Sequence, residues 1–308
     1  MLFINWSDVW KMVESIKVPL IVIGVALALA IIVSLAVFTL DKLQRKLARS
    51  TSWVAAFVAV VVAVVSMMYG GFKTVLDLAS ESGVLTEASK VQVEDLGNDI
   101  ADEGMVLLKN ANGALPLAQG SALNVWGWAS TNPIYGGTGS GSLSKDNPTT
   151  TLLDGLHNAG FTTNDELTNL YSSYRAERPE VGMFKADWSL PEPTQDKYSE
   201  SLLSGATSFG DTAVVTIARS GGDGFDLPRD VNAETSNNPY FSYTNNSDEY
   251  ADFEDGQGYL ELTRPEKDMI ELAKQTSDKT VVVINAANAF ELGDLQDDPE
   301  IDAIVWAI

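Results

Sequence analysis

Hydrophobic and polar positions divide this chain into two parts that meet near residue 80. In the first part, residues 18–40 form a run of 23 residues without a charge, and residues 53–69 form a second uncharged run. A helix needs about 20 apolar residues to cross a bilayer, so both runs predict transmembrane helices. The alternative is a pair of buried helices in a soluble core, which seldom contains two such runs so close together.

The loop between the two runs predicts how this hairpin is oriented. Residues 41–51 carry four basic side chains, which are Lys42, Arg45, Lys46 and Arg49. Basic residues beside short spans stay on the cytoplasmic side, so both ends of the hairpin should lie outside the cell. A cleaved signal peptide fits less well, because its apolar region is usually only about 7–15 residues long. The sequence therefore predicts a multi-pass protein of the cell membrane, with the lipid bilayer as a partner.

In the second part, short apolar runs alternate with helical patterns. Four runs are rich in β-branched residues and lack polar alternation: 123–129, 213–219, 280–286 and 302–307. Such runs are typical of strands buried on both faces of a parallel sheet. Helical periodicity marks three segments: 93–110, 151–160 and 263–275. The alternation predicts an α/β fold, here an open α/β sandwich preceded by a two-helix transmembrane hairpin.

These patterns predict three regions. Residues 1–71 form the membrane anchor, 72–92 a connector, and 93–308 the α/β-sandwich domain on the extracellular face. The last apolar run ends at Ile308 with no polar residue after it, so the sandwich domain is expected to be incomplete at its carboxyl end.

Composition narrows the chemistry that this chain can perform. It has 20 Lys and Arg against 42 Asp and Glu, one His and no Cys. Without Cys there is no disulfide or thiolate nucleophile, and the single His157 leaves no multi-His metal site. His157, on a predicted helix face, is interpreted as a surface or packing residue. A formal net charge of -22 would repel phosphates, so no nucleic-acid partner is expected. The function classes that remain are catalysis by carboxylates and ligand binding without catalysis.

A glycine-rich segment, 130–142, follows the first apolar run of the sandwich. It contains four glycines, Gly136, Gly137, Gly139 and Gly141. They would let the backbone approach a ligand closely. The spacing matches neither a dinucleotide fingerprint nor a P-loop, because Ser142 stands where the third Gly or the Lys is required. By spacing alone, a flexible loop and a ligand cradle both remain open.

A carboxylate flanked by glycines follows the second apolar run. Asp223 lies just beyond the predicted strand 213–219, at the carboxyl end where open α/β sheets bind ligands. Glycosidases need two carboxylates a few ångströms apart, and Asp223 could be one of them; alone, such an acid is more often a turn former. The acidic stretch 221–258 fits no calcium-binding loop and is interpreted as a solvated loop.

Five ordered segments resemble one protein family. They are 103–110 with 115–117, 135–142, 217–224, 259–262 and 281–292. The first, EGMVLLKN followed by LPL, resembles the opening of the α/β-sandwich domain of glycoside hydrolase family 3. The second, YGGTGSGS, is similar to that domain's glycine-rich loop, and the third, IARSGGDG, resembles its ISRxxGEG segment. The last two resemble a later helix and strand.

The resemblance implies a retaining, exo-acting glycosidase of the β-glucosidase type, which acts on an oligosaccharide or glycoside and needs no metal or organic cofactor. Most members carry the sandwich after a (β/α)8 barrel, whereas this chain resembles the subset with the sandwich first. The nucleophile is an Asp of the barrel, which is missing here and is expected downstream. The motif Ala186-Asp187-Trp188 is similar to the nucleophile motif but follows no barrel strand, and it is rejected.

The resemblance also implies the residues of the site. The acid/base Glu of many members corresponds to Asp223 here, whose side chain is one methylene shorter. The residues implied to bind the sugar are Gly136, Gly137, Thr138, Gly139, Ser140, Arg219 and Asp226. A misplacement of about 1 Å can lower a rate by about 100-fold. Either the loop compensates for the shorter side chain, or another acid such as Asp226 serves, or activity is impaired. The alternative function is a non-catalytic, surface-tethered carbohydrate-binding module.

Overall fold

The chain forms two compact units, Met1–Leu85 and Thr86–Ile308. The computed structural model describes residues 6–69, 86–136, 149–175, 177–179, 181, 186–221 and 226–307. The boundary between the units coincides with the change in hydrophobic pattern near residue 80.

The described part of the first unit, residues 6–69, is a pair of helices joined by a tight turn. Helix α1 is Trp6–Ala36, and a 3-10 turn, Val37–Thr39, follows it. Helix α2 is Lys42–Met68, and the carboxylate of Asp41 caps its first turn. The two helices therefore contain most of both uncharged runs.

Polar side chains of α2 hold the turn end of this pair together. Arg49 donates through Nε and Nη2 to the carbonyl oxygen of Ser34, at 3.1 and 2.9 Å. Trp53 donates through Nε1 to the hydroxyl of Ser34 at 3.1 Å. Ala30 and Ala56 are among the few buried residues of the pair, and such small side chains let helix backbones approach closely.

Two segments, Ile16–Thr39 and Lys42–Met68, are long and apolar enough to cross a bilayer. Signal sequences and the core helices of some soluble proteins have the same length and composition. Most large apolar side chains of both helices are exposed, among them Val18 and Phe57 at 67% and 68%. Exposed apolar surface of this extent needs a covering phase or partner.

The second unit is built on a six-stranded sheet. The described strands of this unit, in both of its sheets, are β1 Val106–Asn110, β2 Ala122–Trp126, β3 Thr162–Thr163, β4 Ala186–Asp187, β5 Thr212–Arg219, β6 Phe241–Ser242, β7 Lys279–Ala286 and β8 Ala303–Ala307. The main sheet has the order β1-β8-β7-β5-β2-β3, in which β1 is antiparallel to β8 and the other pairs are parallel. Strands β4 and β6 pair in a separate two-stranded parallel sheet.

Helices cover both faces of the main sheet. The described helices of the second unit are α3 Glu87–Gly104, α4 Leu152–Asn158, α5 Asp165–Ser173, α6 Glu200–Phe209, α7 Val231–Asn237, α8 Arg264–Thr276 and α9 Gly293–Gln296. On one face, Tyr171 of α5 and Met269 of α8 join the largest hydrophobic cluster, together with Val215 of β5. On the other face, Leu156 of α4 packs with Val125 of β2. Because both faces are covered, all eight residues of β5 are buried, which explains why its sequence lacks polar alternation.

The segment 93–110 differs from its predicted helix. Helix α3 ends at Gly104, and the next residues form strand β1, which pairs with β8 so that Leu107 faces Val305. The helical spacing of apolar residues in this segment was therefore misleading, because pairing with a distant strand outweighs a local pattern. Helix α3 has no buried residue, and its Leu96 and Ile100 are 58% and 60% exposed.

The acidic stretch 221–258 also differs from the solvated loop that was predicted. Its described part contains α7 and β6, and Val231 and Phe253 are buried in a second hydrophobic cluster with Trp188. The interpretation was wrong because the acidic residues are interleaved with apolar ones that build this core. Charge count alone does not reveal such a core.

Candidate functional site

The carboxyl ends of three strands meet at one edge of the main sheet. Strands β2, β5 and β7 are hydrogen-bonded neighbours in parallel register, with Trp126 opposite Val215 and Arg219 opposite Ala286. The segments that follow these strands therefore lie side by side, where open α/β sheets bind their ligands. We call this region the carboxyl edge; it comprises residues 126–136, 219–221 and 285–288.

A tight turn leads out of β2 at the carboxyl edge. Gly127 has φ of +94°, in the left-handed region, and a Cβ at this position would lie 2.3 Å from the carbonyl oxygen of Thr216. Glycine is required on both counts. The turn lets the backbone N–H of Trp128 donate to Glu192 Oε2 at 2.9 Å, and the Trp128 side chain is buried.

The start of the glycine-rich segment is held by strand β7. Asn285 accepts the N–H of Ile134 through Oδ1 at 2.7 Å and donates through Nδ2 to the carbonyl oxygen of Ile134 at 3.2 Å. Gly136 follows and is exposed. Four of the predicted sugar-binding residues lie outside the described residues: Gly137, Thr138, Gly139 and Ser140.

Arg219, at the end of β5, is enclosed by protein. Its guanidinium donates to both carboxylate oxygens of Glu266 at 2.6 Å. It also donates to three carbonyl oxygens, those of Ala218, Tyr259 and Glu261. Burial by itself would lower the pKa of Arg219, but the ion pair with Glu266 raises it above the ordinary value. These contacts use all five N–H groups of the side chain. In the structure every N–H group of Arg219 thus has a protein acceptor, and the contact of Arg219 with the sugar stays a prediction.

The segment that carries the predicted acid/base is described on both of its sides. Asp223 itself lies outside the described residues. Before it, Gly221 is buried, and a Cβ there would lie 2.1 Å from Nδ2 of Asn288. After it, Asp226 is exposed. The close contact with Asn288 therefore fixes the path along which the chain leaves β5.

A buried carboxyl group supports the turn after β2. Besides the bond from Trp128, Glu192 receives the hydroxyl of Tyr198, which lies 3.1 Å from Oε1 and 3.0 Å from the hydroxyl of Tyr171. Burial raises the pKa of Glu192 to about 8, against the opposing effect of the Trp128 N–H. Glu192 is therefore protonated at neutral pH and belongs to a buried hydrogen-bond chain.

A second buried carboxyl group organises the acidic stretch. Asp252 accepts the backbone N–H and the side-chain Nδ2 of Asn246, and it accepts the hydroxyl of Tyr243 at 2.8 Å. Asn246 in turn accepts the N–H of Glu192 at 3.2 Å. Burial raises the pKa of Asp252 above its ordinary value. The acidic stretch is thus tied to the same network that supports the turn after β2.

Arg178 brings a positive charge to the carboxyl edge. Its Cζ lies 4.9 Å from the centre of the Trp128 ring, and its Nε donates to the carbonyl oxygen of Asn132 at 2.9 Å. Nη2 donates to the same oxygen. Burial lowers the pKa of Arg178 to about 10. No carboxylate among the described residues pairs with it.

Three side chains of this site were missed by the sequence analysis: Arg178, Glu192 and Asn285. The sequence does mark Asn285, because this polar residue interrupts the apolar run TVVVINA near the end of a predicted strand. Glu192 and Arg178 lie in irregular segments, where no period marks a side chain as buried.

The remaining candidates take structural roles. His157 Nε2 lies 2.8 Å from the hydroxyl of Thr163, as expected of a packing residue. Asp187 accepts the N–H and the hydroxyl of Ser189, and Trp188 is buried. Within the described ranges, no three His, Asp or Glu side chains come together as a metal site.

Comparisons with known proteins agree on one family. The model of the glycosyl hydrolase family 3 C-terminal domain matches residues 105–308. Beta-glucosidase A of Butyrivibrio fibrisolvens is 27% identical over 234 residues, which cover 74% of this chain and 26% of that protein. A beta-glucosidase of Ruminococcus albus is 28% identical over 212 residues, which cover 68% of this chain and 19% of that protein.

A solved structure has the same fold. Beta-glucosidase 3B from Thermotoga neapolitana, in complex with alpha-D-glucose, is 22% identical and matches 69% of this chain and 26% of its own with a TM-score of 0.51. This chain thus spans about a quarter or less of the length of the relatives that it matches. Because the family model matches well over half of the chain, the protein belongs to glycosyl hydrolase family 3, and residues 105–308 correspond to its C-terminal α/β domain.

Proposed function

We propose that this protein is a membrane-anchored glycoside hydrolase that removes terminal sugars from O-glycosides, in the manner of a retaining β-glucosidase. The observation that supports the proposal is the family match over residues 105–308. Both curated relatives are beta-glucosidases. The carboxyl edge also supports it, because the segments that follow β2, β5 and β7 lie side by side there, where open α/β sheets bind ligands.

In the proposed reaction, the two carboxylates come from two domains. An Asp on a (β/α)8 barrel, outside this sequence, attacks the anomeric carbon while Asp223 gives its proton to the leaving oxygen. The glycosidic bond breaks, and the sugar is held on the barrel as an ester. Asp223, now ionised, takes a proton from water, and the water oxygen displaces the enzyme carboxylate from the sugar. The configuration of the anomeric carbon is retained.

The flanks of Asp223 are suited to holding an acid in place. Arg219 and Glu266 anchor the end of β5, and Gly221 packs against Asn288. An Asp reaches about 1.5 Å less far than a Glu, by the length of one C–C bond. A rigid approach to the acid matters more for the shorter side chain, because catalysis depends on its placement to within about 1 Å.

Membrane anchoring is the second element of the proposal. It is supported by the two long apolar helices and by four basic residues in residues 41–51, between the two uncharged runs. The positive-inside rule then places the sandwich domain on the extracellular face, where it meets glycosides outside the cell.

The alternative function is a tethered module that binds carbohydrate without cleaving it. One observation favours it: by the family resemblance, Asp223 stands where many members have Glu. In that case the carboxyl edge would hold a sugar, and no nucleophile would be needed.

The test compares Asp223→Asn with the unaltered protein, expressed from its complete reading frame in membranes, on 4-nitrophenyl β-D-glucoside. Loss of a general acid/base is expected to lower turnover by about 100-fold or more. Azide should restore turnover in this variant and yield β-D-glucosyl azide, because a small anion needs no general base to attack the sugar ester.

Asp248→Asn, which removes an exposed acid from the same region, is the matched control and should keep full turnover. Wild-type turnover by the Asp223 variant would refute the assigned role. Binding of glucose without any hydrolysis by the unaltered protein would favour the carbohydrate-binding module.

A further inference from the structure

The four basic residues at the turn of the hairpin fall into two pairs with different contacts. Arg45 and Arg49 are bound to the hairpin itself. Arg45 donates through Nη2 to the carbonyl oxygens of Phe38 and Leu40, at 2.6 and 3.0 Å, and Arg49 donates to the carbonyl oxygen of Ser34. These carbonyl groups lie at the end of α1 and in the turn after it, where helix carbonyls lack partners of their own. The two arginines therefore hold the turn.

Lys42 and Lys46 make no such contact. Both are exposed, and among residues 16–69, whose side chains the structure describes, neither has a hydrogen-bond or ion-pair partner. They are four positions apart in α2, so they lie one turn apart on the same face of the helix. Asp41 is the only acid in this range, and its carboxylate already accepts two backbone N–H groups at the start of α2. The two ammonium groups can therefore take an anion from outside the chain.

Apolar side chains accompany both lysines. Leu43 and Leu47, which follow them directly in the sequence, are more than half exposed. Trp53 lies two turns beyond Lys46 on the same face of α2 and is 47% exposed. An exposed cation beside exposed hydrocarbon matches an amphiphile, which carries an anion and acyl chains in one molecule. A free phosphate ion would leave the leucines and the indole uncovered.

We propose that Lys42 and Lys46 bind the phosphate of an anionic phospholipid, such as phosphatidylglycerol. The acyl chains of this lipid lie against Leu43, Leu47 and Trp53. The inference rests on the membrane anchoring in the proposed function and adds to it a preference for one class of lipid at the turn of the hairpin.

The local charge favours such a lipid. Residues 16–69 contain five basic residues and one acid, so the formal net charge of -22 does not arise in this part of the chain. A zwitterionic headgroup brings its own cation next to its phosphate, and this cation competes with the lysines, whereas the headgroup of phosphatidylglycerol carries none. Near an anionic membrane surface each Lys strengthens binding by about fivefold, and the effect weakens as salt is added.

The experiment uses Trp53 as a local reporter of the lipid beside it. The full chain, with Trp6→Phe and Trp10→Phe, is reconstituted in phosphatidylcholine vesicles, so that Trp53 is the only tryptophan of the first unit. A matched chain that also carries Trp53→Phe gives the emission of the other tryptophans, which is subtracted. Brominated acyl chains quench a tryptophan that they contact. We expect the lipid occupancy beside Trp53, measured by this quenching at low salt, to favour brominated phosphatidylglycerol over brominated phosphatidylcholine by at least about fivefold.

Variants at the two ends of the hairpin test the site. Lys42→Gln together with Lys46→Gln should abolish the preference. The matched control, Lys11→Gln together with Lys17→Gln, removes two positive charges from α1. It should leave the preference unchanged, because Lys17 lies about 25 Å along α1 from Ser34, which Trp53 contacts.

The outcomes separate the lipid preference from membrane anchoring. Equal quenching of Trp53 by the two lipids, a preference that survives the change of both lysines, or an equal loss in the control would overturn the inference while the anchoring stands. Absence of quenching by either lipid would show that Trp53 does not lie in a bilayer. That result would refute the anchoring, and the inference with it.

Discussion

Glu192 makes a sharp prediction about how stability depends on pH. Burial raises its pKa from an ordinary 4.5 to about 8, so folding favours the protonated form. The stabilisation that this proton provides is complete below about pH 4.5 and is lost as the pH rises toward 8. Each pH unit within this window changes the free energy of unfolding by about 1.4 kcal/mol, which gives at most about 5 kcal/mol across it.

Replacing Glu192 by Gln tests this reasoning because an amide resembles the protonated acid. Its oxygen can accept the Trp128 N–H, which lies 2.9 Å from Oε2 of the acid. Its NH2 group can donate to the Tyr198 hydroxyl, 3.1 Å from Oε1, when that hydroxyl turns its own proton to Tyr171 at 3.0 Å. The variant should therefore match the wild type near pH 4.5 and exceed it in stability by several kcal/mol at pH 8.

The measurement is urea unfolding of both proteins in detergent micelles between pH 4.5 and 8.5, followed by tryptophan emission. Glu249→Gln, which neutralises an exposed acid, is the control and should retain the wild-type pH profile. If the Glu192→Gln profile runs parallel to that of the wild type, or the variant is less stable at pH 8, Glu192 is ionised in the folded protein and the reasoning fails.

Two further predictions concern the end of β5. Glu266→Gln leaves the buried Arg219 without its anion and should lower the free energy of unfolding by about 3–5 kcal/mol. Glu271→Gln, on the same helix, removes the exposed partner of Lys274, which keeps its ion pair with Asp298, and should cost less than about 1 kcal/mol. Equal losses in urea unfolding would contradict this. Gly221→Ala should cost about 1–3 kcal/mol by driving Cβ into Asn288, and Asn288→Ala in the same chain should recover most of that loss. A double-mutant cycle that shows no coupling would refute the contact.

Local pattern predicted the buried strands of the sandwich well. The runs 213–219 and 280–286 correspond to Thr212–Arg219 and Lys279–Ala286 in the structure. A strand that is covered on both faces needs apolar residues at nearly every position, and this pattern is visible in the residues of the strand alone. The cap of α8 at Thr263 was predictable for the same reason, since Thr263 and Glu266 form a capping box within one turn.

Features that depend on distant parts of the chain could not be predicted in this way. Strand β1 exists because its residues pair with β8, so that Leu107 meets Val305 nearly two hundred positions later. The hydrogen bonds of Glu192 come from Trp128 and Tyr198. The residues next to Glu192 in the sequence do not indicate these contacts. The partners of Arg219 could not be predicted either, because they lie on residues 40 to 47 positions later in the chain.

The parallel register of β2, β5 and β7 has a consequence for how this protein can change over evolutionary time. The pairing of these strands is made by backbone hydrogen bonds, and the run of eight buried residues in β5 ends at Arg219. Residues after the strands that do not pack against this frame can therefore be exchanged while the frame keeps its stability. Variation at position 223, where this chain has Asp, is of that kind, so selection can act on the chemistry of the edge separately from the fold.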